Sequence, residues 1–277
     1  MRRVLLARGY ASSQVRTPVG RVHYLFGRGD GDLPPHVLLH GFSASAVQLA
    51  PVLRHFKPSV QRLVAIDLPG HGFSEVPRGV LDPQVLLDGI FAALDDIIRE
   101  PVVLFGNSMG GFIALRYALH APQNVKKLAL ISPGGAAMDQ QMLDELRKIF
   151  HVNSHGDALE FVDRLMGERS RLRHLFAVSV RRRLSRADLL AVLDAVRTDE
   201  LLTPDDLARL TVPTLCVWGR EDEILPRANL DFFRAHLPEH SRVVEPERFG
   251  HSPYLEAPRA LAKMVTDFVR EPTSSAA

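Results

Sequence analysis

The sequence predicts a doubly wound α/β sandwich interrupted by a helical insertion, and three observations predict it. Short aliphatic runs recur along the chain, helical stripes fall between them, and the alternation stops from residue 134 to about residue 210, where only helical patterns remain.

The aliphatic runs are residues 36–40, 62–67, 102–105, 127–131 and 214–218. Runs this short without polar alternation mark parallel strands covered on both faces. Residues 3–7 and 21–26 also read as strands, the second with the partial alternation of a less buried sheet face, and 241–244 is strand-like. Helical patterns occupy roughly 46–56, 84–99, 109–120, 227–236 and 255–270. In one of them Val85, Leu86, Ile90, Leu94 and Ile97 form the stripe of a helix lying on a sheet. The insertion carries stripes at Leu143, Leu146 and Phe150, at Leu159, Val162, Leu165 and Met166, and at Leu189, Val192, Leu193 and Val196. It falls between two predicted parallel strands and should sit above their carboxyl ends, where open α/β sheets keep their ligand crevices. The expected boundaries are a core at 1–133 and 211–271, a helical cap at 134–210 and a flexible tail at 272–277.

A chain of 277 residues with 46% hydrophobic content can bury a large core. Lys and Arg total 34 against 32 Asp and Glu, so no global field holds the protein on nucleic acid or an acidic membrane. No apolar run reaches the ~18 residues of a membrane-spanning helix, and the N-terminal apolar stretch is too short for a secretory signal. A cytoplasmic protein without stable membrane insertion is expected. Cys216 is the single cysteine and lies in an apolar strand, so it reads as a core thiol, and a disulfide within the chain is impossible. Between residues 169 and 186 the chain carries Arg169, Arg171, Arg173, Arg181, Arg182, Arg183 and Arg186 with no acidic residue. A solvated helix face neutralised by the Asp and Glu before and after it is the plain reading; attraction of an anionic substrate, carrier protein or lipid headgroup is the functional one.

Four segments carry chemistry. Gly106-Asn107-Ser108-Met109-Gly110-Gly111 follows a buried strand and precedes a helix, the context in which a G-x-S-x-G turn lifts a nucleophilic serine above the sheet. Small residues are needed on both sides because the turn crowds the backbone, and the Met109 amide then points from the helix N-terminus to where an oxyanion would form. Without that context, Ser108 would be a simple helix cap. His40-Gly41-Phe42-Ser43 ends an earlier strand and offers the Phe42 amide as a second oxyanion donor, with His40 as a structural histidine of that loop. Trp218-Gly219-Arg220-Glu221-Asp222-Glu223 runs from a strand into a turn with three competing carboxylates, and Gly250-His251 presents an imidazole beside a flexible residue. The order nucleophile, acid, base matches a Ser-Asp-His arrangement.

Through His40-Gly41-Phe42, the turn from Asp67 to Ser74, Gly106 to Gly110, Trp218 to Asp222 and Gly250-His251, the chain resembles the α/β-hydrolase superfamily over nearly its whole length. The family pattern of Gly, two residues, then Asp, matched by Gly219-Arg220-Glu221-Asp222, implies that Asp222 is the acid in preference to Glu221 and Glu223. It also implies acyl transfer with Ser108 as nucleophile, His251 as base and Asp222 orienting it, with Phe42 and Met109 holding the oxyanion. It implies neither a cofactor nor a metal. Serine at position 108 argues against the carboxylate-nucleophile members, and Tyr10, Tyr24, Tyr117 and Tyr254 all lie outside the cap, where epoxide hydrolases need tyrosine. A small-molecule carboxylic ester is the favoured substrate. Ser132-Pro133-Gly134-Gly135 is similar to carbon–carbon bond hydrolases of ring meta-cleavage products, although Ser252 stands where that group usually has Trp. A non-catalytic ligand receptor on the same fold is the third reading.

Overall fold

The computed structural model describes residues 2–77, 81–167 and 173–272. After a short helix α1 (Arg2–Ala7), the chain forms β1 (Ala11–Thr17), β2 (Gly20–Arg28), β3 (His36–Leu39), α2 (Ala50–Phe56), β4 (Arg62–Ile66), α3 (Pro83–Ile97), β5 (Val102–Asn107), α4 (Met109–His120) and β6 (Val125–Ile131). The insertion follows as α5 (Gln140–Phe150), α6 (His155–Leu165), α7 (Arg173–Leu184), α8 (Ala187–Ala195) and α9 (Pro204–Ala208). The chain closes with β7 (Thr214–Val217), α10 (Arg227–His236), β8 (Arg242–Val244), α11 (Pro253–Glu256) and α12 (Pro258–Arg270).

The strands form one sheet in the order β1-β2-β4-β3-β5-β6-β7-β8. β2 pairs antiparallel with β1 and β4, and every pairing from β4 to β8 is parallel. Alternation along each strand builds two cores. Val37, Leu39, Val64, Ile66 and Leu104 face α3 and α4, while Leu38, Ala65, Val103 and Phe105 face α2 and α12. Both faces are therefore apolar, which is why the central strands show no polar alternation. Cys216 lies fully buried in β7, where burial pushes its thiol up to about 12.

Two readings of local structure change. Residues 3–7 belong to helix α1, which buries Leu5 and leaves Val4 and Leu6 exposed; a six-residue segment is too short for periodicity to tell helix from strand. The outer strand is the polar segment Ala11–Thr17, registered from Ala11 opposite Phe26 to Thr17 opposite Gly20. It buries only Val15 and Thr17, so it lacks the apolar signature of the inner strands. The C-terminal helix is split at Ala257, because Pro258 opens α12 in the first-turn position that proline favours.

Between β6 and β7 the described residues contain helices and one isolated bridge, Ala136 to Leu202. Phe150, Phe161, Leu189 and Val192 of this segment join the same core as α3 and α4. The arginine stretch is not free of acids in space. Arg173 pairs with Asp163 at 2.6 Å and Arg186 with Asp188, whereas Arg181 and Arg182 are exposed. Arg169, Arg171 and residues 273–277 of the expected tail lie outside the described residues.

Asp67 ties the loops above β4 together. Its buried carboxylate accepts from Ala46 N at 2.6 Å, Phe73 N at 3.0 Å and His23 Nδ1 at 2.7 Å. A Cβ on Gly72 would fall 2.1 Å from Asp67 Oδ1, and Gly72 has φ +55, so only glycine allows the loop to close over this group. Burial pushes the Asp67 pKa up, but the His23 bond, the nearby His40 and the two amides outweigh it and hold the carboxyl below its ordinary value. Its contribution to stability is thus complete above the unfolded carboxylate pKa of ~3.9 and is lost as pH falls through the folded value. Asp67→Ala is expected to lower unfolding free energy by about 3 kcal/mol in urea melts at neutral pH, with the difference from wild type shrinking under acid; an unchanged midpoint would remove Asp67 from this role.

Candidate active site

β5 ends at Asn107 and α4 begins at Met109, so the reversal from strand to helix falls on Ser108. The serine sits at φ 54 and ψ −121, a conformation that costs a non-glycine residue roughly 1–3 kcal/mol. The crossing is tight: a Cβ on Gly106 would lie 2.1 Å from Gly110 O, and one on Gly110 would lie 2.5 Å from His40 O. The Ser108 carbonyl accepts from Gly111 N at 2.9 Å, Phe112 N at 3.0 Å and Gly134 N at 3.0 Å, which pins the strained turn to both α4 and the start of the insertion.

The loop after β3 approaches from the other side. A Cβ on Gly41 would lie 3.2 Å from Ser108 Cβ, and Ser43 adopts φ 57 as the chain turns away. His40 is fully buried; its Nδ1 donates to Gly41 O at 2.8 Å and its Nε2 accepts from Leu68 N at 3.1 Å. Both ring nitrogens are spent on backbone, and burial lowers its pKa, so His40 is a neutral brace for the loop. Among the described residues, neither the Phe42 nor the Met109 N–H donates to any protein acceptor. Both amides are therefore donors left for a ligand or solvent.

His251 is 3% exposed, and its Nδ1 donates to Asp222 Oδ2 at 2.8 Å. The other Asp222 oxygen accepts from Ile224 N at 2.9 Å and Leu225 N at 3.1 Å. Burial pushes the Asp222 carboxyl up, yet the electrostatic attraction and hydrogen bond of the His251 ring, the Leu225 amide and the Ser132 hydroxyl hold it below its ordinary pKa. A carboxylate anchored in this way fixes the imidazole with its proton on Nδ1 and leaves Nε2 as the acceptor. Glu221 and Glu223, the competing acids of the turn, are exposed.

Ser108 and His251 line one cavity of about 40 Å³. Among the described residues their side chains make no hydrogen bond to each other. Such bonds often tighten only when substrate fills a site.

Three contacts that hold the histidine were not recognised from sequence. Asn107 Nδ2 donates to His251 O at 2.9 Å and to Ile131 O at 3.1 Å, joining the serine turn to the histidine loop. His251 N donates to Leu165 O at 3.0 Å, the end of α6. Glu256 accepts from Gly250 N and Gly167 N, each at 2.7 Å, bridging the histidine loop to the insertion. Asn107 lay inside the serine motif, but its spacing carries no sign of a partner 144 residues away.

Residues 34–258 match the α/β-hydrolase fold, and the chain belongs to that family of hydrolases. It is 27% identical over 271 residues to the monoacylglycerol lipase ABHD6 of Bos taurus, covering 89% of this chain and 78% of that protein. It is 30% identical over 252 residues to a 2-hydroxy-6-oxononadienedioate/2-hydroxy-6-oxononatrienedioate hydrolase of Cupriavidus pinatubonensis, covering 84% and 86% of the two chains. The crystal structure of a membrane phospholipase A superposes with a TM-score of 0.81 at 25% identity, over 98% of this chain and 93% of that one. No helix among the described residues is long and apolar enough to cross a membrane.

The strain at Ser108 has a thermodynamic signature. Glycine tolerates φ 54, so Ser108→Gly is expected to raise stability by about 1 kcal/mol, the relief exceeding the extra chain entropy of glycine. Calorimetry checks this, and a lower melting temperature than wild type would show that the turn stores no strain.

Proposed function

We propose that this hydrolase cleaves carboxylic esters through an acyl-enzyme, with Ser108 as nucleophile, His251 as general base and Asp222 as the acid that orients it. The observation that carries the reading is the His251–Asp222 bond, which leaves Nε2 as acceptor in the cavity that Ser108 also lines. His251 Nε2 takes the Ser108 proton as Oγ attacks the carbonyl carbon. The amides of Phe42 and Met109 receive the oxyanion. Nε2 then passes the proton to the departing alcohol oxygen as the acyl carbon–oxygen bond breaks, and water releases the acyl group by the same route.

Residues 134–210 act in this reading as the cap. Leu143, Leu146, Phe150, Val192 and Leu193 of that segment line a second cavity of about 660 Å³, which Ser108, Met109 and Phe112 also line. An apolar space of this size suits a medium-length acyl chain.

The 30% identity to a dienedioate hydrolase supports one other reading, carbon–carbon bond cleavage in a ring meta-cleavage product. Turnover of p-nitrophenyl acyl esters, set against decay of the yellow dienoate chromophore, separates the two. A receptor that kept the fold would turn over neither.

Ser108→Ala is expected to abolish p-nitrophenyl octanoate hydrolysis while leaving the circular dichroism spectrum and melting temperature of a folded protein; wild-type rates in that variant would reject the assignment. Asp222→Asn is expected to lower kcat by about 10³- to 10⁴-fold with little change in KM, because the imidazole loses the partner that sets its tautomer. A change confined to KM would place Asp222 outside the chemistry.

A further inference from the structure

His251 stands on the loop between β8 and α11, and that loop is strained: Arg248 takes φ +61, the left-handed region that a non-glycine residue avoids. Such a turn keeps its shape only while its neighbours hold it. Two of the holds come from the end of α6. Leu165 O accepts from His251 N at 3.0 Å, and the Glu256 carboxylate joins Gly250 N to Gly167 N with one oxygen on each at 2.7 Å. The fit has no slack, since a Cβ on Gly250 would fall 2.4 Å from Gly167 N and 2.8 Å from Leu165 O. Where α6 ends therefore sets where the imidazole stands.

The same helix leads back to the space for substrate. Phe150, the last residue of α5, lines both the cavity of about 40 Å³ and the cavity of about 660 Å³ beside Ser108. It packs on Phe161 of α6 with ring centroids 5.4 Å apart. Leu165, one helical turn beyond Phe161, lines the small cavity together with His251. A chain lying in the large cavity thus bears on Phe150, and packed side chains carry that contact along α6 to the two residues that hold the histidine loop. An acetyl group, with one methyl beyond its carbonyl, leaves the large cavity empty.

We propose that Glu256 is a positioning residue that couples the acyl chain to the general base: a chain that fills the large cavity draws α6, and through Glu256 the histidine loop, into the arrangement in which His251 Nε2 meets the Ser108 hydroxyl. This deepens the ester-hydrolase reading and rests on it. Ser108 and His251 share a cavity without a hydrogen bond between their side chains, so the reactive arrangement is favoured by whichever substrate packs better against it. A chain buried under α5 and α6 does so through its apolar surface. Selection for medium-length acyl groups over acetyl then falls on kcat as well as on binding.

The test uses the purified full chain and two esters with one leaving group, p-nitrophenyl acetate and p-nitrophenyl octanoate. Only the acyl chain differs, and it stays in the site until water releases it. Wild type should turn over the octanoate with a kcat about tenfold or more above that for the acetate. Glu256→Gln sets an amide where a carboxylate received two N–H donors. It should lower kcat for the octanoate about tenfold, the worth of one charge-assisted hydrogen bond, with KM within about twofold and kcat for the acetate within about threefold. Glu256→Asp, one carbon too short to hold both amides, should show the same selective loss, and it carries the test if melting curves show Glu256→Gln unfolded. Glu247→Gln removes an exposed carboxylate of the same loop, paired with Arg220, and should change neither ester. Equal kcat for the two esters in wild type overturns the proposal. So does a folded Glu256 variant that keeps the wild-type ratio, loses both activities equally or changes only in KM. Each of those results leaves the ester-hydrolase reading intact, whereas no hydrolysis of either ester by wild type defeats both.

Discussion

The backbone contact between Gly106 and Gly110 is the constraint from which the site is built. With any side chain at position 106, an atom would lie 2.1 Å from Gly110 O, and the strand could not pass directly into the helix. Because it does pass directly, one residue absorbs the whole change of direction, and Ser108 is held at φ 54. The Met109 amide stands at the first turn of α4 with no acceptor of its own. Strain at Ser108 and an unspent donor at the residue after it are therefore consequences of one close approach. The energy that holds this turn comes from the buried strands on either side of β5 and from the hydrogen bonds accepted by the Ser108 carbonyl.

The histidine is placed by a different logic. It lies on a loop without regular structure, and each backbone polar group nearby is tied to a different part of the molecule: its carbonyl to Asn107, its N–H to Leu165, and the preceding amide to Glu256. Glu256 also holds Gly167, so the insertion and the histidine loop share one carboxylate. A Cβ on Gly250 would fall 2.4 Å from Gly167 N, which shows how closely the two segments are packed. The insertion is coupled to the imidazole through backbone, in addition to walling the cavities.

Legibility in the sequence followed burial and chain separation. The inner strands stood out because both faces are covered, leaving continuous aliphatic runs such as 102–105 and 127–131. β1 was missed because it is an edge strand with a polar composition, and α1 was misread because six residues hold too little periodicity. Helices α4 and α10 have the limits expected from their patterns, Met109–His120 and Arg227–His236. For the site, residues within one turn were readable as units, since glycine spacing around Ser108 records local crowding. Contacts made across the fold left no such record. The basic stretch reads from sequence as a solvated face neutralised by the acids before and after it, and Asp163 and Asp188, which flank it, do pair with Arg173 and Arg186.

The central claim is that the hydroxyl of Ser108, the imidazole of His251 and the amides of Phe42 and Met109 converge on one reacting carbon. The most direct measurement is a crystal structure of the protein after reaction with an alkyl fluorophosphonate, whose phosphorus stands in for the tetrahedral carbon. The account predicts phosphorus bonded to Ser108 Oγ, the phosphoryl oxygen about 2.7–3.1 Å from both amide nitrogens, and His251 Nε2 turned toward the adduct. An adduct on another residue, or a phosphoryl oxygen pointing away from both amides, would contradict it.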